Sequence, residues 1–375
     1  MTADLITAYR NAFTTCSHSS VRHPSPGLKA TLQQLADATG EGEQSDVYGS
    51  GALIEDFERE VAALLGKEAA VFMPSGTQAQ PIALRLWADR ARTPYVALPH
   101  TSHLQLHEHN AFQVLYGLKG VTLGAAAEVP TLTDLQQAAR DPLAAALLEL
   151  PMREIGGQLP AWEDLLAQSQ WAREQGIKLH LDGARLWQCP PHYNRSLAEI
   201  AALFDSVYVS FYKDLGGIAG ALLAGDADFI RSAKVWQRRA GGNLFALSPY
   251  VIAAREGLAT YLPNMANYRE DAQWFAAQLN ALAGVQTWPL QPQTSMFRLR
   301  VDADPTEFLP RATAWLAEQD IAVLPPPYRA GEGSLWFELS FGENFRRRER
   351  AEWAAVLARF VSEVLELSRS GGGGE

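Results

Sequence analysis

Between Gly51 and Gly225 the chain alternates short apolar runs with stretches whose apolar residues recur at helical spacing. The short runs predict β-strands, and the longer stretches, over residues 52–65 and 77–91, predict helices. The candidate strands are residues 69–73, 95–98, 112–116, 145–150, 177–182, 206–211 and 220–224. Strands that alternate with helices are typical of a parallel sheet with helices on both faces. The sequence therefore predicts an α/β fold with a mostly parallel seven-stranded sheet.

The pattern changes after about residue 246, where long helices are predicted over residues 249–261 and 268–282. A strand-helix-strand-strand-helix pattern follows from Met296, which predicts a smaller α+β domain. The predicted organisation is an N-terminal arm that packs on another element, a large domain, a small domain and a flexible Gly-rich tail. Their respective ranges are residues 1–45, 46–245, 246–370 and 371–375.

Composition and charge exclude several classes of protein. With 47% hydrophobic and 20% charged residues in 375, the chain is an ordinary globular protein. The net charge of −10 is spread along the sequence, so we expect no nucleic-acid partner. No apolar run approaches the length of a membrane span, so we expect no membrane partner. Two cysteines and a start without a secretory signal favour a cytoplasmic location.

The first candidate site follows the strand at residues 69–73. Ser75, Gly76 and Thr77 stand between this strand and a predicted helix. Free N–H groups at a helix N-terminus, together with two hydroxyls, suit a phosphate group. Ordinary capping of the helix is the alternative.

The second candidate is Asp182, where an apolar strand ends in a carboxylate followed by Gly183 and Arg185. Ligands of open α/β sheets bind at the carboxyl ends of strands, so this acid suits a cationic ligand such as a protonated pyridine nitrogen. An ion pair between Asp182 and Arg185 is the alternative.

The third candidate is Lys213, at the end of a strand that is otherwise apolar. Burial lowers the pKa of a lysine, and the resulting neutral amine is the nucleophile that bonds to aldehydes. The hydroxyl of Ser210, three residues earlier, is a further candidate ligand for the same phosphate. A lysine in an exposed turn is the alternative.

The motif His180-Leu-Asp-Gly-Ala-Arg-Leu186 resembles that of the threonine aldolase group of β-eliminating lyases, which are pyridoxal-phosphate enzymes of fold type I. Residues 46–49, residues 66–77 and the turn at Lys213 are similar to the same family. The resemblance implies pyridoxal 5′-phosphate as cofactor, with Lys213 bonded to its aldehyde and Asp182 at its ring nitrogen. It also implies phosphate contacts from Gly76 and Thr77, and Arg185 near the phenolate oxygen.

The resemblance further places His103 on the cofactor ring as a proton-transfer group, with His107, His109 or a purely structural histidine as the alternatives. Tyr48 and Arg185 are implied substrate contacts. The chain departs from the family where its second histidine is Met152 and its carboxylate-binding arginine is Glu338. The segments at residues 241–246 and 17–20 also differ from the family's motifs. Arg153 is the candidate replacement for that arginine, and an ion pair of Arg153 with Glu154 or Glu149 is equally compatible with the sequence.

The resemblance implies a lyase that cleaves a β-hydroxy α-amino acid to glycine and an aldehyde. β-Elimination, decarboxylation and transamination are alternatives with the same cofactor, and a catalytically silent binding protein is an alternative of another class. The turn at residues 216–220 suggests a nucleotide-binding dehydrogenase only weakly, because it lacks the required glycine spacing. The resemblance also implies a homodimer or homotetramer, and no metal site is predicted.

Overall fold

A computed structural model describes residues 2–140 and 142–370, apart from the side chains of residues 369 and 370, so the predicted tail lies outside the described residues. The helices are α1 (Thr2–Thr15), α2 (Leu28–Asp37), α3 (Ala52–Leu64), α4 (Gly76–Ala91), α5 (His103–Leu106), α6 (Ala111–Val114), α7 (Leu132–Ala138), α8 (Trp162–Gln175), α9 (Pro190–Tyr193), α10 (Leu197–Ala201), α11 (Ala227–Arg239), α12 (Ser248–Tyr261), α13 (Met265–Asn280), α14 (Pro305–Gln319), α15 (Glu343–Arg346), α16 (Arg350–Phe360) and α17 (Leu367–Ser370). The strands are β1 (His18–Ser19), β2 (Ala69–Met73), β3 (Tyr95–Pro99), β4 (Lys119–Leu123), β5 (Ala145–Glu149), β6 (Lys178–Gly183), β7 (Ser206–Ser210), β8 (Ala221–Gly225), β9 (Val285–Trp288), β10 (Met296–Asp302), β11 (Ile321–Ala322), β12 (Arg329–Gly331) and β13 (Ser334–Ser340).

The described chain forms two compact units. The large unit contains residues 26–140, 142–154 and 158–265, and the small unit contains residues 2–25, 155–157 and 266–370. These ranges differ from those predicted from the sequence, since the N-terminal 45 residues are divided between the units. Helix α12 belongs to the large unit because it packs on α3.

The large unit is built on a seven-stranded sheet with the order β2-β8-β7-β6-β5-β3-β4. Strand β8 is antiparallel to both of its neighbours, and the remaining pairs are parallel. The predicted mostly parallel α/β fold is therefore confirmed. Six of the seven predicted strands begin and end within one residue of the observed bounds.

The strand predicted at residues 112–116 was wrong. Residues 111–114 form α6, and the strand beside β3 is β4 at Lys119–Leu123. Phe112 is buried in the core while Val114 and Leu115 are exposed, which fits a short helix rather than a strand. The true strand lies at the edge of the sheet and buries only Leu123 fully, so it lacks the apolar run that marks an interior strand.

Helix α4 connects β2 to β3 and covers the sheet with a buried face that includes Ile82, Leu86 and Trp87. The Trp87 ring stacks on Phe229 of α11, with centroids 4.5 Å apart. Apolar packing on both sheet and helix fixes the axis of α4. As a result, the helix N-terminus is held at the carboxyl end of β2.

The small unit contains an antiparallel sheet with the order β12-β13-β10-β9 and a short parallel pair of β1 with β11. Helix α1 packs on α14, and the buried hydroxyl of Tyr9 donates to the carbonyl of Leu324 at 2.7 Å. The first part of the predicted arm is thus a helix of this unit. In the part of the chain that the structure describes, we find no helix with the length and apolarity to cross a bilayer.

Candidate active site

The carboxyl ends of β5, β6 and β7 place polar residues side by side at one edge of the large unit's sheet. Glu149 is in register with Asp182, and Asp182 is in register with Tyr208. Asp182 is only 2% exposed, and its Oδ1 accepts a hydrogen bond from the Ala184 N–H at 3.1 Å. A buried carboxylate requires a cationic partner, so this edge is suited to a cationic ligand.

Lys213 follows β7 and is partly buried, unlike a lysine in an exposed turn. Its own burial, and then the charge of Arg185, lower the pKa of Lys213, while Asp182, Asp214 and Glu149 raise it. These influences require the charged groups to lie within electrostatic reach of one another. The structure therefore brings Lys213 and Asp182 together at the same edge, with an amine that deprotonates more readily than an exposed lysine.

The N-terminus of α4 has the features of an anion site. Ser75 is the N-cap residue in an extended conformation, but its side chain makes no capping hydrogen bond, so capping alone does not account for it. A Cβ on Gly76 would collide with the phenol of Tyr208, which explains the glycine and places the Tyr208 hydroxyl at the first turn of the helix. Helix N–H groups and hydroxyls together suit a phosphate.

Ser210 adds a second feature to this anion site. Its side chain is fully buried, and its Oγ has no hydrogen-bond partner among the described residues. The phenol groups of Tyr208 and Tyr212 lie near this hydroxyl. A buried hydroxyl without a partner is costly, so a ligand that accepts its proton would stabilise the site.

Arg185 is held by an acid other than the one the sequence suggested. Its Nε lies 3.8 Å from Oδ1 of Asp214, and the same oxygen accepts a hydrogen bond from Nε2 of Gln188 at 2.8 Å. Asp214 is buried, and burial raises its pKa. Because Arg185 forms its ion pair with Asp214, the Asp182 carboxylate is left for another cation.

His103 lies beyond the end of β3, which is parallel to β5, so it stands at the same edge of the sheet. Its Nδ1 is 2.8 Å from Oε1 of the buried Glu108. The His103 and His107 rings are 5.0 Å apart, and His107 Nε2 is 3.1 Å from Glu154. His109 is exposed in a left-handed conformation. Of these three histidines, His103 has the ring orientation fixed by a buried carboxylate, as a general base requires.

The candidate substrate contacts have well-defined neighbours within the large unit. The Arg153 N–H donates to Oε1 of Glu149 at 3.0 Å, and its Nη1 lies 3.3 Å from Glu154. Tyr48 is half exposed, has a φ of 51° and packs edge-to-face against Phe245.

Two of the positions that depart from the family are integrated into their own units. Met152 is buried in the large unit. Glu338 lies on β13 of the small unit, in register with Arg298 on β10.

Sequence reasoning missed Glu149, Asp214, Glu108 and Tyr208 as members of this edge. Glu149 does have a sequence signal, because it ends an apolar strand just as Asp182 does. Asp214 directly follows Lys213, and an acid beside a buried lysine was a second signal.

Comparison with known proteins identifies the relatives of this chain. The family model described as "Beta-eliminating lyase" matches residues 27–302. The low specificity L-threonine aldolase of Escherichia coli (strain K12) is 32% identical over 264 residues, which cover 68% of this chain and 77% of that protein. A low-specificity L-threonine aldolase of Arabidopsis thaliana is 28% identical over 67% of this chain and 72% of its own length.

Among solved structures, a candidate L-allo-threonine aldolase from Listeria monocytogenes EGD-E superposes with a TM-score of 0.91 at 39% identity. The match covers 96% of this chain and all of that chain. The prediction from the motif at residues 180–186 is confirmed: this chain belongs to the β-eliminating lyase family and is an enzyme of the lyase class.

Proposed function

We propose that this protein uses pyridoxal 5′-phosphate to cleave a β-hydroxy α-amino acid to glycine and an aldehyde. The observation that carries the proposal is the cluster of Lys213, Asp182 and Arg185 at one edge of the sheet. The names of the relatives, which are threonine aldolases, support the substrate class.

The chemistry of the residues at this edge suits the cofactor. Two hydroxyl groups can donate to a phosphate at the α4 N-terminus, beside Ser75 and Thr77. One is that of Ser210, which has no partner among the described residues, and the other is that of Tyr208, which lies against Gly76. Asp182 would hold the ring nitrogen, Arg185 the phenolate oxygen and Lys213 the aldehyde. Bound pyridoxal phosphate supplies an aldehyde that bonds to amines and a ring that accepts the electrons of the broken bond.

The remaining tasks fall to side chains of this chain. The lowered pKa of Lys213 increases the fraction of its amine that is neutral and reactive near neutral pH. The buried carboxylate of Glu108 holds His103 by Nδ1, which leaves Nε2 to accept a proton from the substrate hydroxyl. Arg153 is the proposed partner of the substrate carboxylate, and Tyr48 is a proposed contact at the exposed side.

The proposal includes a homodimer or homotetramer. Leu28 and Leu32 of α2 are largely exposed, as are Tyr48 and Phe245, and exposed apolar groups of this size are typical of subunit interfaces. Light scattering on the purified protein measures the mass of the particle and tests this part separately.

The experiment compares the wild-type protein with Lys213→Ala and with Lys119→Ala, a control at an exposed lysine of β4. After loading with pyridoxal phosphate, only Lys213→Ala should lose the visible absorption band of the covalently bound cofactor and the release of aldehyde from threonine and allo-threonine. Release of pyruvate without aldehyde would show that the reaction is β-elimination rather than aldol cleavage. Release of carbon dioxide without aldehyde would show that it is decarboxylation. An unchanged Lys213→Ala spectrum would overturn the proposal.

A further inference from the structure

Glu149 is a second carboxyl group beside Asp182 that the proposed mechanism does not use. The two residues are directly in register on the parallel strands β5 and β6, and the Leu150 N–H donates to the Asp182 carbonyl at 3.0 Å. Side chains alternate between the faces of a sheet, so residues in register point to the same face. Both carboxyl groups therefore lie on one face at the end of the sheet.

The hydrogen bonds of Glu149 account for only one of its oxygens. Its side chain is nine-tenths buried, with 9% of the residue exposed, and Oε1 accepts from the Arg153 N–H at 3.0 Å. Oε2 is buried and has no partner among the described residues. A protonated Oε2 could donate a hydrogen bond to a ligand. An ionised Oε2 would be a buried negative charge without the hydrogen bond or cation that such a charge requires.

The charges around Glu149 come from several elements. Asp182 on β6 is the nearby anion, while Arg185 and Lys213, which follow β6 and β7, are the nearby cations. Burial and the charge of Asp182 raise the pKa of Glu149 to about 8, against smaller lowering effects of the Arg153 N–H and the two cations. Two buried carboxyl groups this close cannot both ionise cheaply, so the proton on Glu149 is retained at neutral pH.

We propose that Glu149 is a positioning residue that remains a neutral carboxylic acid, so that Asp182 is the single anion offered to a cation bound at this edge. If Glu149 were ionised, its negative charge would add to that of Asp182 and Asp214 and would raise the pKa of Lys213. The neutral acid thus keeps the Lys213 amine reactive. The identity of the bound cation as a cofactor nitrogen rests on the proposed function, but the proton on Glu149 does not.

The protonation of Glu149 can be measured on the cofactor-free protein. With ¹³C-labelled glutamate carboxyl groups, the signal that disappears in Glu149→Gln belongs to Glu149. We expect this signal to be that of a protonated acid at pH 7 and to titrate near the pKa of about 8. Titration at the ordinary glutamate pKa, near ~4.3, would overturn the proposal.

A second variant tests the coupling and also identifies the Glu149 signal if Glu149→Gln folds poorly, because only a carboxyl group beside Asp182 should change its titration when that charge is removed. Asp182→Asn removes the neighbouring charge, so the titration midpoint of Glu149 should move to lower pH. Glu58→Gln, at a buried carboxyl group that binds the Phe72 N–H and Lys234, is the matched control and should leave the midpoint unchanged. An unchanged midpoint in Asp182→Asn would contradict the coupling.

Cofactor binding supplies a separate measurement. Because glutamine resembles the neutral acid, Glu149→Gln should bind pyridoxal phosphate as tightly as the wild type at pH 7. We expect wild-type binding to change as pH rises through about 8, where Glu149 ionises, and we expect this change to be absent in Glu149→Gln. Retention of that pH dependence in Glu149→Gln would count against the role. Failure of the wild-type protein itself to bind pyridoxal phosphate would reject the proposed function, while the titration would still decide the state of Glu149.

Discussion

The phenol of Tyr208 occupies the space into which a Cβ on Gly76 would project. The first turn of α4 can therefore lie close to β7 only if residue 76 is a glycine. This relationship joins the two parts of the chain that we assign to the phosphate, residues 75–77 and the end of β7 at Ser210. Substitutions at either partner should disturb stability and cofactor binding together.

Gly76→Ala should lower the free energy of unfolding by about 1–3 kcal/mol, because the added methyl group overpacks a buried contact. It should also weaken pyridoxal phosphate binding, since relief of the collision moves the helix N-terminus or the Tyr208 ring. Urea unfolding and a cofactor titration measure the two effects. Gly27→Ala is the control, because a Cβ there meets no atom within 4 Å. Equal effects of the two substitutions would contradict the close contact.

His103→Ala should reduce kcat by about 10²–10⁴-fold, the usual contribution of a general base. His109→Ala should have little effect, because His109 is exposed and no carboxylate is bonded to its ring in the described structure. Aldehyde release from threonine, measured for both variants loaded with cofactor, separates the two histidines. If His109→Ala reduced kcat as much as His103→Ala does, the assignment of His103 as the general base would be wrong.

His180 should make the protein sensitive to acid. It is fully buried, and its Nδ1 lies 2.8 Å from Oγ of Ser206, which in turn accepts a hydrogen bond from Nε1 of Trp87. Burial lowers the pKa of His180 from 6.5 to about 3. A histidine with a lowered folded-state pKa is neutral when folded, so the unfolded chain binds the extra proton.

The contribution of His180 to stability is therefore complete above pH 6.5 and is lost as pH falls from 6.5 towards 3. The full loss would reach about 5 kcal/mol at the acid end of this window. Urea unfolding from pH 7 to pH 4 should show a steeper fall in stability for the wild type than for His180→Asn. Identical pH slopes would show that His180 is not the group responsible.

The sequence predicted the parts of the site that lie at the ends of apolar strands. Asp182 and Lys213 each stand where a buried run stops, and buried runs are visible in any single sequence. The pairing of Glu149 with Asp182 was not predictable in the same way, because it depends on the register of two strands whose paired residues are far apart in the chain. Strand β4 was missed since an edge strand needs few apolar residues.

The position of α1 has a consequence for the order in which the chain is completed during synthesis. Tyr9 and its hydrogen-bond partner Leu324 are 315 positions apart. At typical rates of translation, the ribosome needs on the order of tens of seconds to make the intervening residues. Helix α1 and the large unit are both made before α14, so α1 must wait without its packing partner until residues 305–319 have been synthesised. The apolar face of α1 can therefore be buried only late, when α14 and Leu324 become available to pack against it.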